Sequence, residues 1–155
     1  IPLVARDVEL FGYYIDQLQR RALNQFRYTP LNFESKIDEI KSVRGLITDF
    51  FCVAVSAHVP HINTRSFAAH KALGEFYDFA NDFRDRILEY MVGQGYVNQI
   101  QIDSIEADED VVSEATDALN MLNSFASSKG DETLKNMAAD FQEALGKLKY
   151  LLMLK

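Results

Sequence analysis

Cysteine, tryptophan and proline are scarce in this sequence, which contains one, none and three of them, respectively. A single cysteine excludes an internal disulfide, so the chain fits a reducing compartment, and we expect it in the cytoplasm. Cys52 lies inside the apolar run DFFCVAV and is predicted to be a small core residue. No apolar run approaches the roughly 18 residues of a membrane-spanning helix, so no membrane association is predicted.

Positive charge is scarce as well. The chain has 16 Lys and Arg against 23 Asp and Glu, which gives a net charge of −7. Broad nucleic-acid binding depends on basic side chains that neutralise phosphates, so DNA binding is predicted to be weak or absent. An acidic surface instead attracts cations.

Apolar residues are abundant and regularly spaced. They make up 48% of the 155 residues, enough for the core of one globular domain. Their recurrence at steps of three and four is typical of amphipathic helices. We predict helices over residues 5–26, 33–57, 66–92, 108–127 and 131–154. Asn32 or Ser35 is the predicted N-cap of the second helix, and Pro60 is predicted to end it, because proline lacks an N–H and clashes with the preceding turn.

The lengths of the connections favour one arrangement of the last four helices. Two short connections predict two antiparallel hairpins, and the connection of some fifteen residues over 93–107 is long enough to return along a helix. A hairpin, a long crossover and a second hairpin are typical of ferritin-like bundles. The predicted fold is therefore all-α: a ferritin-like four-helix bundle over 31–155, preceded by an N-terminal helix and linker over 1–30.

Residues 58–89 hold all three histidines, His58, His61 and His70, followed by a series of carboxylates. Imidazole and carboxylate groups are ligands for iron, manganese and zinc. Glu-x-x-His, the pair used by intrachain di-iron sites of ferritin-like bundles, does not occur in the sequence. Asp85 and Glu89 lie one helical turn apart and are predicted to share a metal. His70 lies about 22 Å away along the same helix, so the two groups cannot meet within one chain.

The two groups can meet between two chains. If the helix packs antiparallel against its copy about a two-fold axis near Tyr77 and Asp78, His70 of one subunit faces Asp85 and Glu89 of the other. Gly74 lies on this face, where it is predicted to let the second helix approach closely. The candidate dimer-interface residues are Phe67, Gly74, Tyr77, Asp78 and Asn81.

The run His58, Phe67, His70, Asp85 and Glu89 resembles the ferroxidase signature of the Dps miniferritins, with Phe67 one place later than in the family pattern. The segment HINTRSFAAHKALGEFYDF is also similar to Dps-like proteins encoded by tailed phages. That similarity would place this chain in a bacterial host. The resemblance implies that His58 and His70 are metal ligands from one subunit, Asp85 is a ligand from the other, and Glu89 bridges two metals. It also implies iron as Fe(II) and Fe(III), ferroxidase activity, iron storage, and a homo-oligomer that is a dimer or a dodecameric shell.

The sequence also departs from that pattern. Val59 and Pro60 follow His58 where Trp is usual, Tyr90 follows Glu89 where Arg is usual, and the Lys-rich tail is absent. His61 is a possible additional ligand that the signature does not require. Two functions therefore stay open: an iron-oxidising miniferritin that protects against peroxide, and a ferritin-like structural or interaction protein, such as a phage component, without catalysis. Another divalent metal, and oxygen as the oxidant, also stay open.

Overall fold

The structure is a computed structural model, and it describes residue 13, residues 15–17 and residues 30–154. Four long helices occupy most of this part of the chain: α1 (Pro30–Asn63), α2 (Phe67–Gly93), α3 (Val111–Lys129) and α4 (Glu132–Met153). No strand occurs among the described residues, so the predicted all-α class is confirmed. The chain divides into two compact units, Ile1–Ile40 and Lys41–Lys155. The predicted helix over 5–26 lies outside the described residues, apart from residue 13 and residues 15–17, which are helical.

Side-chain caps set the starts of three helices. Ser66 accepts a hydrogen bond from the Ala69 N–H, Asp110 accepts from two N–H groups of the first turn of α3, and Asp131 accepts from Leu134 N–H. These oxygens satisfy amides that have no partner inside the helix. Between α3 and α4, Gly130 adopts φ 60°, a left-handed conformation that glycine tolerates well. The three predicted starts therefore agree with the structure to within three residues.

Two predictions about α1 are wrong. The helix begins at Pro30, so Asn32 and Ser35 lie inside it and neither is the N-cap. Proline suits the first turn, because its missing N–H would have no helical partner there. Pro60 also lies inside the helix, which continues to Asn63. Its carbonyl still accepts the Thr64 N–H at 2.9 Å, so the loss of one N–H in the last turn does not end the helix.

A cluster of phenylalanines forms the centre of the core. Phe141 of α4 is fully buried, and its ring centroid lies 5.0 Å from that of Phe83 and 5.7 Å from that of Phe50. Phe76 and Phe79 complete the cluster at 6.1 and 5.9 Å from Phe141. Tilted and edge-on contacts of this kind stabilise a core beyond the burial of apolar area. The buried residues of α2, among them Phe76 and Phe83, recur at steps of three and four, the apolar spacing from which the helix was predicted.

The contacts of α2 give its direction relative to two other helices. Phe50 of α1 contacts Phe83, while His58, further along α1, contacts Tyr77. α1 and α2 are therefore antiparallel. Ion pairs link Arg86 to Asp140 and Glu75 to Lys147, at 2.7 and 2.9 Å, so α2 is also antiparallel to α4.

α3 runs antiparallel to α1. A Cβ atom on Gly45 would lie 3.8 Å from the Met121 side chain, and Cys52, further along α1, lines the same cleft as Glu114, nearer the start of α3. Within the unit from Lys41, α1 and α4 therefore point one way and α2 and α3 the other. Because α2 and α3 are parallel, the chain between them must return along the length of the protein.

Two buried hydroxyl groups hold this return segment against α1. Thr48 Oγ1 accepts a hydrogen bond from the Asp103 N–H at 2.9 Å, and Ser56 Oγ accepts one from the Asp108 N–H at 2.8 Å. Arg44 adds a hydrogen bond to Gln101. Later residues of the segment contact later residues of α1, so residues 101–108 run parallel to α1. The segment then leads into the start of α3.

One stretch of α1, Ser42–Asn63, is long and apolar enough by length and composition to cross a membrane. The prediction that no segment comes near that limit is therefore wrong on those two criteria. Half of the stretch is buried inside the protein. The central helix of a soluble protein has the same composition, because it packs against neighbours on several sides.

Candidate functional site

The three histidines lie together where α1 ends and α2 begins. The His61 and His70 rings are stacked, with centroids 4.0 Å apart and planes 21° from parallel. His58 stacks on Tyr77 at 4.2 Å and lies 6.2 Å from His61. The structure thus brings His58, His61 and His70 into one row of rings along the α1–α2 contact. His58 therefore faces α2, although Pro60 lies two residues after it.

His61 and His70 are joined by two reciprocal hydrogen bonds. The Nδ1 atom of each ring lies 2.8 Å from the backbone carbonyl oxygen of the other residue. A carbonyl oxygen can only accept, so each Nδ1 must carry hydrogen and donate it. In the neutral imidazole the second nitrogen, Nε2, then carries the lone pair. Both rings therefore have a nitrogen lone pair, on Nε2, that is not used in the reciprocal pair.

Gly74 has a different neighbour from the predicted one. A Cβ atom at this position would lie 2.8 Å from Cε1 and 3.0 Å from Nδ1 of His61, closer than side-chain atoms tolerate. The missing side chain of Gly74 therefore makes room for the His61 ring of the same chain. The proposed reason for Gly74, close approach of a second helix, is not needed to explain the glycine.

The two predicted carboxylate ligands lie further along α2. Asp85 and Glu89 are both exposed. Arg84 forms an ion pair with Asp85, with Nη2 3.1 Å from Oδ1, and its Nε donates to the same oxygen at 3.2 Å. The fifteen residues between His70 and Asp85 correspond to about 22 Å of helix, so one chain does not bring them together. Among the residues the structure describes, no group of three His, Cys, Asp or Glu side chains is placed to hold one metal.

The candidate dimer-interface residues differ in exposure. Phe67 is 81% exposed, which is unusual for an aromatic side chain, and Asp78 is exposed too. Tyr77 is half-buried under His58, and Asn81 donates a hydrogen bond to the Tyr77 carbonyl at 2.9 Å. The role of these residues and of Gly74 in a dimer stays a prediction.

A second group of acidic side chains lines a cleft between α1, residues 103–108 and α3. The cleft has a volume of about 520 Å³ and contains Asp49, Cys52 and Glu114. Burial and the nearby charge of Asp117 raise the pKa of Asp49. Burial, followed by the charge of Asp49, raises the pKa of Glu114. Cys52 is buried as predicted, and burial raises the pKa of its thiol, which disfavours the reactive thiolate.

Asp131 joins three parts of the chain at the other end of α2. Its carboxylate accepts hydrogen bonds from Tyr90 at 3.0 Å and from Tyr96 at 2.6 Å, while also capping α4. The hydrogen bond from Tyr96 lowers the pKa of Asp131, and the bond to Asp131 raises the pKa of Tyr96 to about 12.

Sequence reasoning did not find the Tyr90–Asp131–Tyr96 contacts, the reciprocal His61–His70 pair or the Arg84–Asp85 pair. Arg84 directly precedes Asp85, but adjacent residues of a helix do not face each other, so the sequence does not predict this pair either. The hairpin between α1 and α2 was predicted, but the orientations of the histidine rings within it depend on side-chain rotamers, which the sequence does not fix.

A family model matches residues 61–152, which include His61, His70, Asp85 and Glu89 but not His58. No curated protein and no solved structure matches the chain. The matched segment covers more than half of the sequence and contains all of α2 and α3 and all but the last residue of α4. The chain therefore belongs to DUF5856, a family of unknown function.

Proposed function

We propose that this protein is a Dps-like miniferritin. It would bind Fe(II) at a site shared between two subunits and oxidise it, and so store iron and protect a cytoplasm from peroxide. Fe(II) is the substrate in this proposal. His58 and His70 of one subunit, and Asp85 and Glu89 of the other, are the proposed ligands.

The order and directions of the helices support a ferritin-like bundle. α1 and α2 form one hairpin, α3 and α4 form another, and residues 94–110 connect the two parallel helices α2 and α3. One long crossover between two hairpins is the connectivity of ferritin-like folds. The crossover amides of Asp103 and Asp108 donate hydrogen bonds to Thr48 and Ser56, and these bonds fix its course along α1.

The observation that carries the proposal is the placement of His70, Asp85 and Glu89 on α2. All three are exposed, and about 22 Å of helix separates the histidine from the carboxylates. An antiparallel copy of α2, with a two-fold axis near Tyr77 and Asp78, would place His70 opposite the carboxylates of its partner. Two-fold symmetry then gives two equal sites for each dimer.

The ligand types suit iron oxidation. Carboxylates are hard ligands that favour the higher charge of Fe(III), and a bridging Glu89 would hold two irons close together. With peroxide as the oxidant, each of two Fe(II) ions gives up one electron. The O–O bond breaks, and two protons from solvent complete two water molecules. Holding both irons at one site delivers the two electrons together, which lowers the formation of hydroxyl radical.

One observation favours the alternative, a ferritin-like structural or interaction protein without catalysis. Arg84 already neutralises Asp85, and its guanidinium also lies 4.7 Å from the centre of the Phe51 ring. Arg84 also donates to Asn81 at 3.0 Å, so it is held in place by three neighbours. A metal at Asp85 must compete with this guanidinium, whereas an interface that uses the ion pair need not.

The test is Fe(II) oxidation by variants and by mixed subunits. His70→Ala and Glu89→Ala should each lower the oxidation rate by about tenfold or more, because each removes a ligand from both sites of a dimer. Glu143→Ala, which removes an exposed carboxylate of α4, is the matched control and should retain the parent rate.

Mixing the two inactive variants tests whether the site is shared. In a heterodimer of His70→Ala and Glu89→Ala subunits, one site keeps every ligand and the other lacks both, so part of the parent rate should return. No recovery in mixtures shown to contain heterodimers would contradict a shared site. Parent rates in both single variants would exclude the ferroxidase function and leave the structural one.

A further inference from the structure

We propose that His61, whose ring packs against Gly74, is a positioning residue for His70. It holds the His70 imidazole as the Nδ1–H tautomer, with the Nε2 lone pair available to a divalent metal. The role of His70 as a ligand rests on the proposed function, whereas the fixed tautomer rests on contacts within one chain.

The end of α1 supplies the first contact. His61 lies two residues before the last residue of α1, where backbone carbonyls have no donor inside the helix. The His61 carbonyl therefore needs an outside donor, and His70 Nδ1–H provides it at 2.8 Å. Ligating histidines in metal sites commonly donate their other N–H to a carbonyl or carboxylate, which fixes the tautomer and orients the ring. His70 has this arrangement through contacts within its own chain.

The His61 side chain supplies the second contact. Its own Nδ1–H donates to the His70 carbonyl, and its ring covers the His70 ring at a centroid distance of 4.0 Å. Each residue thus donates one hydrogen bond to the other, and neither ring can rotate without breaking a hydrogen bond. A ring held in this way is already ordered, so less conformational freedom is lost when a ligand binds.

Gly74 supplies the third contact, because it leaves the space that the His61 ring occupies. Any side chain at this position places its first carbon 2.8 Å from His61 Cε1. A single methyl group should therefore displace the His61 ring and release His70 from the stack. Gly146 of α4 offers a matched control, because nothing lies within 4 Å of a Cβ atom built there.

The first experiment measures the tautomer of His70 in the metal-free protein by long-range ¹H–¹⁵N NMR. At pH 8, above the ordinary histidine pKa of about 6.5, the parent and Gly146→Ala should both show His70 as the Nδ1–H form. Gly74→Ala should shift His70 toward a mixture of the two tautomers. A parent with mainly Nε2–H, or a Gly74→Ala spectrum identical to that of the parent, would overturn the proposal.

A double-mutant cycle separates this role of Gly74 from packing between subunits. If Gly74→Ala acts through the His61 ring, it should change the His70 tautomer in the parent but add nothing in a His61→Ala background. An equal effect of Gly74→Ala in both backgrounds would overturn the proposal, because the methyl group would then act without His61. Sedimentation of each variant shows whether the dimer is retained.

Titration with Co²⁺ alone connects the tautomer to metal binding. Gly74→Ala and His61→Ala should each bind Co²⁺ about tenfold more weakly than the parent, the usual effect of losing a group that orients a ligand. Parent-like affinity in both would overturn the positioning role. A parent that shows the Nδ1–H tautomer but does not bind Co²⁺ would instead count against the proposed function and leave the tautomer result standing.

Discussion

The two hydroxyl groups that hold the crossover against α1 give a quantitative prediction about the fold. Ser56→Ala removes the acceptor of the Asp108 N–H, and Thr48→Val removes the acceptor of the Asp103 N–H while keeping the shape of the side chain. Ser56 is fully buried and Thr48 is 7% exposed, so water cannot easily take their place. Both changes should therefore weaken the contact that directs the chain from α2 to the start of α3.

The expected loss follows from the number of unsatisfied groups. Leaving a buried donor without a partner costs about 1–3 kcal/mol. The hydroxyl side is buried, but the amides belong to the exposed residues Asp103 and Asp108, so we expect the lower end of this range, about 1 kcal/mol, for each substitution. The two hydroxyls lie about 12 Å apart along α1, so their effects should add to about 2 kcal/mol in the double variant.

Urea unfolding measures these changes in the free energy of unfolding, and hydrogen exchange of the Asp103 and Asp108 amides locates them. Ser127→Ala, at an exposed position of α3, is the control and should change stability by no more than about 0.5 kcal/mol. A double variant as stable as the parent, with both amides still protected from exchange, would refute the course of the crossover described above.

Three further predictions concern the core and the acidic groups. Phe141→Ala should lower the free energy of unfolding by about 3–5 kcal/mol, measured in urea, because it empties the centre of the phenylalanine cluster; a loss below about 1 kcal/mol would contradict that packing. The pKa of Asp49 is raised in the folded protein, so Asp49 stabilises the fold most below its ordinary pKa of about 3.9, and this contribution is lost as the pH rises through its pKa in the folded protein. Asp49→Asn should therefore raise the Tm at pH 7 and reduce the difference in Tm between acid and neutral pH. A lower Tm of this variant at pH 7 would contradict the prediction. Asp131→Asn keeps a capping oxygen but removes the charge, so a spectrophotometric titration should find the Tyr96 pKa lowered from about 12 toward about 10, and an unchanged pKa would argue against the Tyr96–Asp131 bond.

The helices were predictable because their signals are local. The buried stripe of α2 followed from apolar spacing, and Asp131 and Ser66 lie where the start of each helix needs a side-chain acceptor. The end of α1 was predicted wrongly, because Pro60 was given the effect that proline has in the middle of a helix. In the last turn, only one hydrogen bond is lost, and packing of the preceding residues against α2 outweighs it.

The positions of the candidate ligands along α2 were predictable, but the neighbours of their side chains were not. Spacing alone predicted the distance between His70 and the carboxylates Asp85 and Glu89, since helical rise converts residue number into distance. It could not show that the space over Gly74 holds the His61 ring or that Arg84 turns toward Asp85. Both depend on the choice between rotamers of similar energy, which only the packed neighbours decide.

The central claim, a metal site shared between two copies of α2, is tested most directly by anomalous scattering from crystals soaked anaerobically in Fe(II). Data collected at the iron absorption edge show where iron binds and which chains supply its ligands. We predict a peak within bonding distance of Nε2 of His70 in one subunit and of the Asp85 and Glu89 carboxylates in its two-fold partner. Iron bound only by residues of a single chain, or the absence of any peak near His70, would contradict the claim.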